Sequence, residues 1–120
     1  MAFTRGIRGA IKVEENSAEA IGRATRELLE KMVEANGVDT SDIASIFLTT
    51  TADLDAEFPA YTARDMGWTM VPLLCAQELK VPHGMKSMLR ILIHVNTDKS
   101  QSEIKHQYLG EAAGLRPDLT

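Results

Sequence analysis

Apolar positions change their period along the chain, and each period points to an element. The first run, FTRGIRGAIKV at 3–13, is β-branched and aromatic and predicts a strand; Gly6 and Gly9 within it permit a bulge or a close backbone approach. Ile21, Ala24, Leu28, Met32 and Ala35 then recur at spacings of three and four, the stripe of a helix facing a core. Asn16, three residues before Glu19, reads as the N-cap of that helix, and Asn36-Gly37 as its C-terminal stop. IASIFLTT at 43–50 predicts a second strand, and 53–58 is polar and turn-like. Pro59 suits the first turn of a short helix ended by Gly67. A strand is expected over 68–78, with Pro72 placing it at an edge or bulge. After a turn at 81–84, KSMLRILIHVN alternates Leu89, Ile91, Ile93 and Val95 against Met88, Arg90, Leu92 and His94, and both faces read as buried. Ser100 and Glu103 have the spacing of a capping box and predict a helix to about Leu109. The order β-α-β-α-β-β-α predicts an α+β fold, one mixed β-sheet packed with helices, while GLRPDLT fits no element.

Composition narrows this further. A chain of 120 residues with 44% hydrophobic and 25% charged residues is the size of one domain, spanning 1–120, and can bury a core of its own. Thirteen Lys and Arg against 17 Asp and Glu leave a net charge of −4, which argues against nucleic acid as a partner. The first residues lack the apolar core of a signal peptide, and the apolar stretch 88–95 is too short for a bilayer, so a cytoplasmic protein with no membrane partner is expected. The single cysteine, Cys75, excludes an internal disulfide, and His83, His94 and His106 lack the spacing of a metal-ligand pair.

A few polar residues demand explanation. Arg90 lies mid-strand between Met88 and Leu92; a guanidinium there requires either a carboxylate from the core or a subunit interface, or the oxygen of a ligand. Arg8, between Gly6 and Gly9, is either an exposed strand arginine or one given room to reach a ligand. Glu78 closes the apolar run VPLLCAQ, within reach of a neighbouring strand bearing Arg90 or Arg8. Cys75 has no neighbouring base and reads as a small core residue. Tyr108 is expected half-buried on the last helix, Arg116 in solvent, and Arg64 at the surface or an interface. RGIRGA lacks the length and the Lys-Ser/Thr of a phosphate loop, and no nucleophile constellation is present.

In this order RGIRGA, LLEKMVEAN, TADLDAEFPA, GW, VPLLCAQE, the Arg90 strand and YLGEAAGLRPDL resemble the small trimeric chorismate mutases of the AroH class, from Arg5 to Leu119. The resemblance implies a homotrimer around a barrel-like core, with active sites between adjacent subunits. It implies conversion of chorismate to prephenate for phenylalanine and tyrosine synthesis, with no cofactor and no metal. By position, Arg8 and the Tyr108 hydroxyl match the grip on the substrate's side-chain carboxylate, and Arg90 matches the group at the ether oxygen of the breaking bond. Glu78 matches the acceptor for the ring hydroxyl, with help from the Cys75 backbone. Phe58, Ala60, Leu73 and Leu74 match the walls, and Arg64, Leu115 and Arg116 the mouth. Tyr61 stands where some members carry a lysine near the ring carboxylate, so recognition of that group shifts toward Arg116 and Arg64. The rival is a non-catalytic trimer binding a small carboxylate on the same fold; it would use Arg8 and Arg116 but has no need of both Arg90 and Glu78.

Overall fold

A computed structural model describes residues 2–119. Along the chain run β1 (Phe3–Lys12), α1 (Ala18–Asn36), β2 (Ile43–Thr50), α2 (Ala60–Asp65), β3 (Leu73–Gln77), β4 (Met88–Thr97) and β5 (Gln107–Leu109). Short 3-10 turns occupy Thr40–Asp42, Gln101–Glu103, Gly110–Leu115 and Pro117–Leu119. The strands form one sheet in the order β3-β2-β4-β1-β5. Strand β4 pairs antiparallel with β1 and β2, while β3 on β2 and β5 on β1 are parallel. This is the mixed sheet with helices that the apolar pattern predicts. No helix among the described residues is long and apolar enough to cross a membrane.

One face of the sheet carries the core. Ile7 and Ile11 of β1, Ile46 and Leu48 of β2, and Leu89, Ile91, Ile93 and Val95 of β4 lie under Ile21, Leu28, Leu29 and Met32 of α1. Each such aliphatic side chain contributes about 1.5–3 kcal/mol when fully buried. At Gly9 the helix rests on the strand itself: a Cβ there would stand 2.5 Å from Met32 Sδ and 3.0 Å from Leu28 Cδ1. The β1–β4 register is unbroken from Phe3 to Lys12, so this glycine serves close approach and not a bulge. Gly37, at φ 59°, ends α1 by turning its N–H back to Glu34 and Val33.

Four expectations are corrected. Ser17, not Asn16, caps α1, its Oγ accepting the Ala20 N–H. Asn16 instead accepts the N–H groups of Asp55 and Ala56 and ties the 51–58 loop to the helix start. The strand expected from Trp68 begins only at Leu73, because Trp68 and Val71 are buried in the core and Pro72 has no N–H to give a ladder. The helix expected from Ser100 stops after one 3-10 turn. The buried Asn36 amide takes both backbone groups of Lys105, Ile104 is drawn into the core, and the chain continues extended as β5 along the otherwise unpaired edge of β1. Finally, β4 is fully buried only on its core face: on the opposite face Met88 is buried, but Arg90 is exposed and Leu92 and His94 are half-buried.

Candidate active site

The face of the sheet away from the helices carries the chemistry. Residues paired across strands share a face, so Ala76, Thr49, Arg90, Ala10 and Tyr108 form a row from β3 to β5. The next row holds Leu74, Phe47, Leu92 and Arg8. Arg90 and Arg8 therefore stand one row apart on adjacent strands, and Tyr108 lies on β5, not on a helix.

Arg90 meets Glu78 through Nε, 3.1 Å from Oε2, and the same oxygen accepts the Thr49 hydroxyl at 2.6 Å. The acid is the hidden partner. Glu78 keeps 17% of its side-chain surface and Arg90 47%. The Glu78 N–H also bonds to Thr50 O, so carboxylate and backbone are both fixed to β2. Of the partners the sequence left open for Arg90, the chain itself supplies a carboxylate, yet about half of the arginine side chain faces outward. With five N–H donors on a guanidinium and the Glu78 contact made at Nε, the fork retains donors at Nη for a second acceptor.

On the β1 edge, the Arg8 N–H donates to His106 Nδ1 at 2.9 Å. Tyr108 and Leu115 pack on Ala10, Met88 and Ala112 in a small second core on this face. Arg116 forks onto Asp118 with contacts of 3.0 and 2.8 Å; that hydrogen-bonded pairing lowers the carboxyl of Asp118 and raises the guanidinium's affinity for its proton. A cleft of about 590 Å³ opens beside Glu78, lined by Thr51, Asp53, Leu79, Val81 and Met85. A larger one of about 710 Å³ is lined by Lys12, Arg23, Glu27 and Glu111, and neither Arg90 nor Arg8 lines either cleft. Asp53 anchors the floor of the first cleft, accepting from Thr51 Oγ1 and from Ser87 N–H and Oγ; these bonds, the Thr51 one foremost, hold its carboxyl below the ordinary value.

The other sequence candidates fall elsewhere. Phe58, just before α2, clusters with Tyr61 and Arg64 of that helix, Phe58 and Tyr61 in tilted contact at 5.6 Å and the Arg64 guanidinium 5.0 Å over the Tyr61 ring. Ala60 of the same helix is buried among core residues with α1, so this cluster belongs to the helix layer, across the sheet from Arg90. Leu73 and Cys75 point to the core, whereas Leu74 is 58% exposed on the opposite face. Ile46 N–H bonds to Pro72 O and Glu78 N–H to Thr50 O, so by the alternation of the ladder the Cys75 backbone groups face the free edge of β3. Sequence reasoning missed Thr49 and His106. Thr49 was legible as the hydroxyl in IASIFLTT on the face opposite Ile46 and Leu48; His106 carried no signal, because its role depends on a strand pairing hidden within an apparent helix.

A family profile described as chorismate mutase type I matches residues 4–119. The chain is 52% identical over 118 residues to chorismate mutase AroH of Thermus thermophilus, covering 98% of this chain and 97% of that one. It is 44% identical over 117 residues to chorismate mutase AroH of Bacillus subtilis, covering 97% and 92%. The solved structure of a chorismate mutase from Clostridium thermocellum superposes with a TM-score of 0.89 at 48% identity, over 91% of this chain and 97% of that one. Sequence and structure agree over nearly the full length: this chain belongs to the type I chorismate mutase family.

Proposed function

We propose that the chain, as a chorismate mutase, rearranges chorismate to prephenate in a site completed by a second copy of itself. The substrate is a dianion that rearranges within itself, so no base, nucleophile or electron carrier has to act. Catalysis consists of holding the flexible side chain over the ring and of meeting the charge that builds on the ether oxygen as C–O cleavage runs ahead of C–C formation. Arg90 supplies the second. It is permanently charged, it stands on a central strand, and Glu78 with Thr49 sets the plane of its fork. Glu78 accepts the ring hydroxyl beside the edge-facing Cys75 backbone. Arg8 and the Tyr108 hydroxyl take the side-chain carboxylate, and Leu115 and Arg116 form the mouth.

The observation that carries this reading is the asymmetry of the Arg90–Glu78 pair. The acid is sheltered and the cation is presented, so the guanidinium is held by Glu78 while its outer side stays open to a ligand. A simple carboxylate holder would keep Arg8 and Arg116 but has no need of both Arg90 and Glu78.

The walls support assembly into a homotrimer with shared sites. Phe58, Ala60, Tyr61 and Arg64 lie in the helix layer, across the sheet from Arg90. A second copy offers the route by which they join it. The open sheet face also exposes Phe47 and Leu74, and the adjoining loop Leu79, Val81 and Met85, apolar surface of the kind that subunits cover. Leu73, turned to the core, supports the wall from behind, while Leu74 reaches the ligand side. Tyr61 lends a hydroxyl but no charge, and Arg64 stacked on it brings a cation for the ring carboxylate. The product feeds phenylalanine and tyrosine synthesis, a cytoplasmic role.

Loss of chorismate absorbance with purified protein, followed by identification of prephenate, tests the reaction. Dicarboxylate binding without turnover would convert the account to a carboxylate-binding protein. Shared sites are tested by mixing inactive Arg90→Ala and Arg64→Glu chains. Random reassembly should restore about a quarter of the sites, and no recovery would place each site within one chain.

A further inference from the structure

The outer edge of β1 is completed in an unusual way. Its ladder with β5 starts only at Gly9 opposite Gln107. Before that point two side chains stand in for a strand. The Gln101 amide pairs with Gly6 in both directions, donating to Gly6 O at 2.7 Å and accepting the Gly6 N–H at 3.0 Å. The His106 ring accepts the Arg8 N–H. An accepting Nδ1 bears no proton, so the ring is neutral with its hydrogen on Nε2.

The ring is also held from behind. Asn36, 4% exposed, donates to Met32 O and to Lys105 O and accepts the Lys105 N–H at 2.7 Å. One buried amide thus fixes the peptide next to His106 to the end of α1.

We propose that His106 is a positioning residue for Arg8: its neutral ring sets the stretch of β1 from which Arg8 reaches the ligand, and protonation of the ring releases it. This rests on the reading of Arg8 as the carboxylate-binding residue. The charged groups that act on the ring are Arg8 on β1 and Arg116 in the tail, and Arg116 in turn meets Asp118 and Tyr108 of β5. Burial first, then Arg8 and Arg116, hold the ring below the ordinary imidazole value. On protonation Nδ1–H would confront the Arg8 N–H, two donors face to face, and a third cation would join two already present.

The test compares kcat and KM between pH 5.5 and 8 for the native protein, His106→Asn, His106→Leu and Arg8→Ala. Asparagine places Oδ1 where Nδ1 stood and does not titrate. The native protein should show KM rising on the acid side with kcat level. His106→Asn should keep native kcat/KM near pH 7.5 and lose the acid-side rise. His106→Leu should lose about tenfold in kcat/KM, mostly in KM, the equivalent of one hydrogen bond. An acid-side rise that persists in His106→Asn, or a His106→Leu protein with native KM, overturns the proposal. If the leucine variant does not fold, the pH profile of His106→Asn decides alone. An Arg8→Ala protein with native kcat/KM would instead sink the reading of Arg8 on which this rests.

Discussion

Replacing Arg90 by alanine removes one charged donor and nothing else of consequence. The pair with Glu78 is half-exposed on its cationic side, so its contribution to folding is of the order of a surface pair, about 0.2–1 kcal/mol. Glu78 keeps the Thr49 hydroxyl and its own backbone bond to Thr50, so the site should stay folded. The catalytic effect is much larger. A guanidinium about 3 Å from an oxygen that gains roughly half a charge is worth about 3 kcal/mol at an effective dielectric of 20. Loss of a single preorganised donor costs about 10²–10³ by comparison with other enzymes. The charge and the donor are lost together, so kcat/KM should fall by about 10³, with Arg90→Lys recovering part because the forked geometry is gone. Initial rates of chorismate disappearance measure this, with urea unfolding to confirm the fold. A loss of less than tenfold in a folded protein would remove Arg90 from the chemistry.

The remaining predictions concern neighbours of that group. Cys75→Ser should retain substantial activity, because the side chain faces the core and only the backbone reaches the edge; near-complete loss in steady-state assays would indicate thiol chemistry. The rearrangement moves no proton, so kcat should stay level from mildly acidic to mildly basic pH, and a bell in kcat would point to acid–base catalysis. Stability, in contrast, should respond to His106. Folding lowers the ring's proton affinity, so its contribution is complete above the ordinary imidazole value and is lost as pH falls through the lowered one; thermal melts in which acidification strengthens the fold would contradict that sign. Gly9→Ala should cost about 1–3 kcal/mol, since the fully buried Met32 and Leu28 have little room to yield, and unchanged urea stability would refute the close packing of α1 on β1.

What could be read from the chain follows the range of the forces involved. The stripe from Ile21 to Met32 and the alternation along β4 are local, and they place α1, β4 and the core correctly. The same alternation led to Arg90 as the anomalous residue, and the apolar run before Glu78 offered that acid to Arg90 or Arg8, between which only the fold chose. Burial of Arg90 was misjudged because an apolar sequence on both faces does not say whether a second face is covered by the same chain. The Ser100–Glu103 pair is a valid local signal, and Glu103 does accept the Ser100 N–H. It was outweighed by Asn36, a residue far away in sequence, and by the need of the β1 edge for partners. Tyr108 was misplaced with that helix, and His106 went unnoticed for the same reason. The roles along the site came from resemblance across the whole chain, which no single motif here could supply.

The claim on which the rest depends is that the guanidinium of Arg90 meets the oxygen whose charge grows as the C–O bond breaks. A crystal structure with a bicyclic dicarboxylate ether, shaped like the transition state, tests it most directly. The bridging oxygen should lie within hydrogen-bonding distance of Arg90 Nη, with Glu78 at the ring hydroxyl and Phe58 and Arg64 of a second copy closing the pocket. A mimic bound away from this face, with Arg90 still engaged by Glu78 alone, would contradict it.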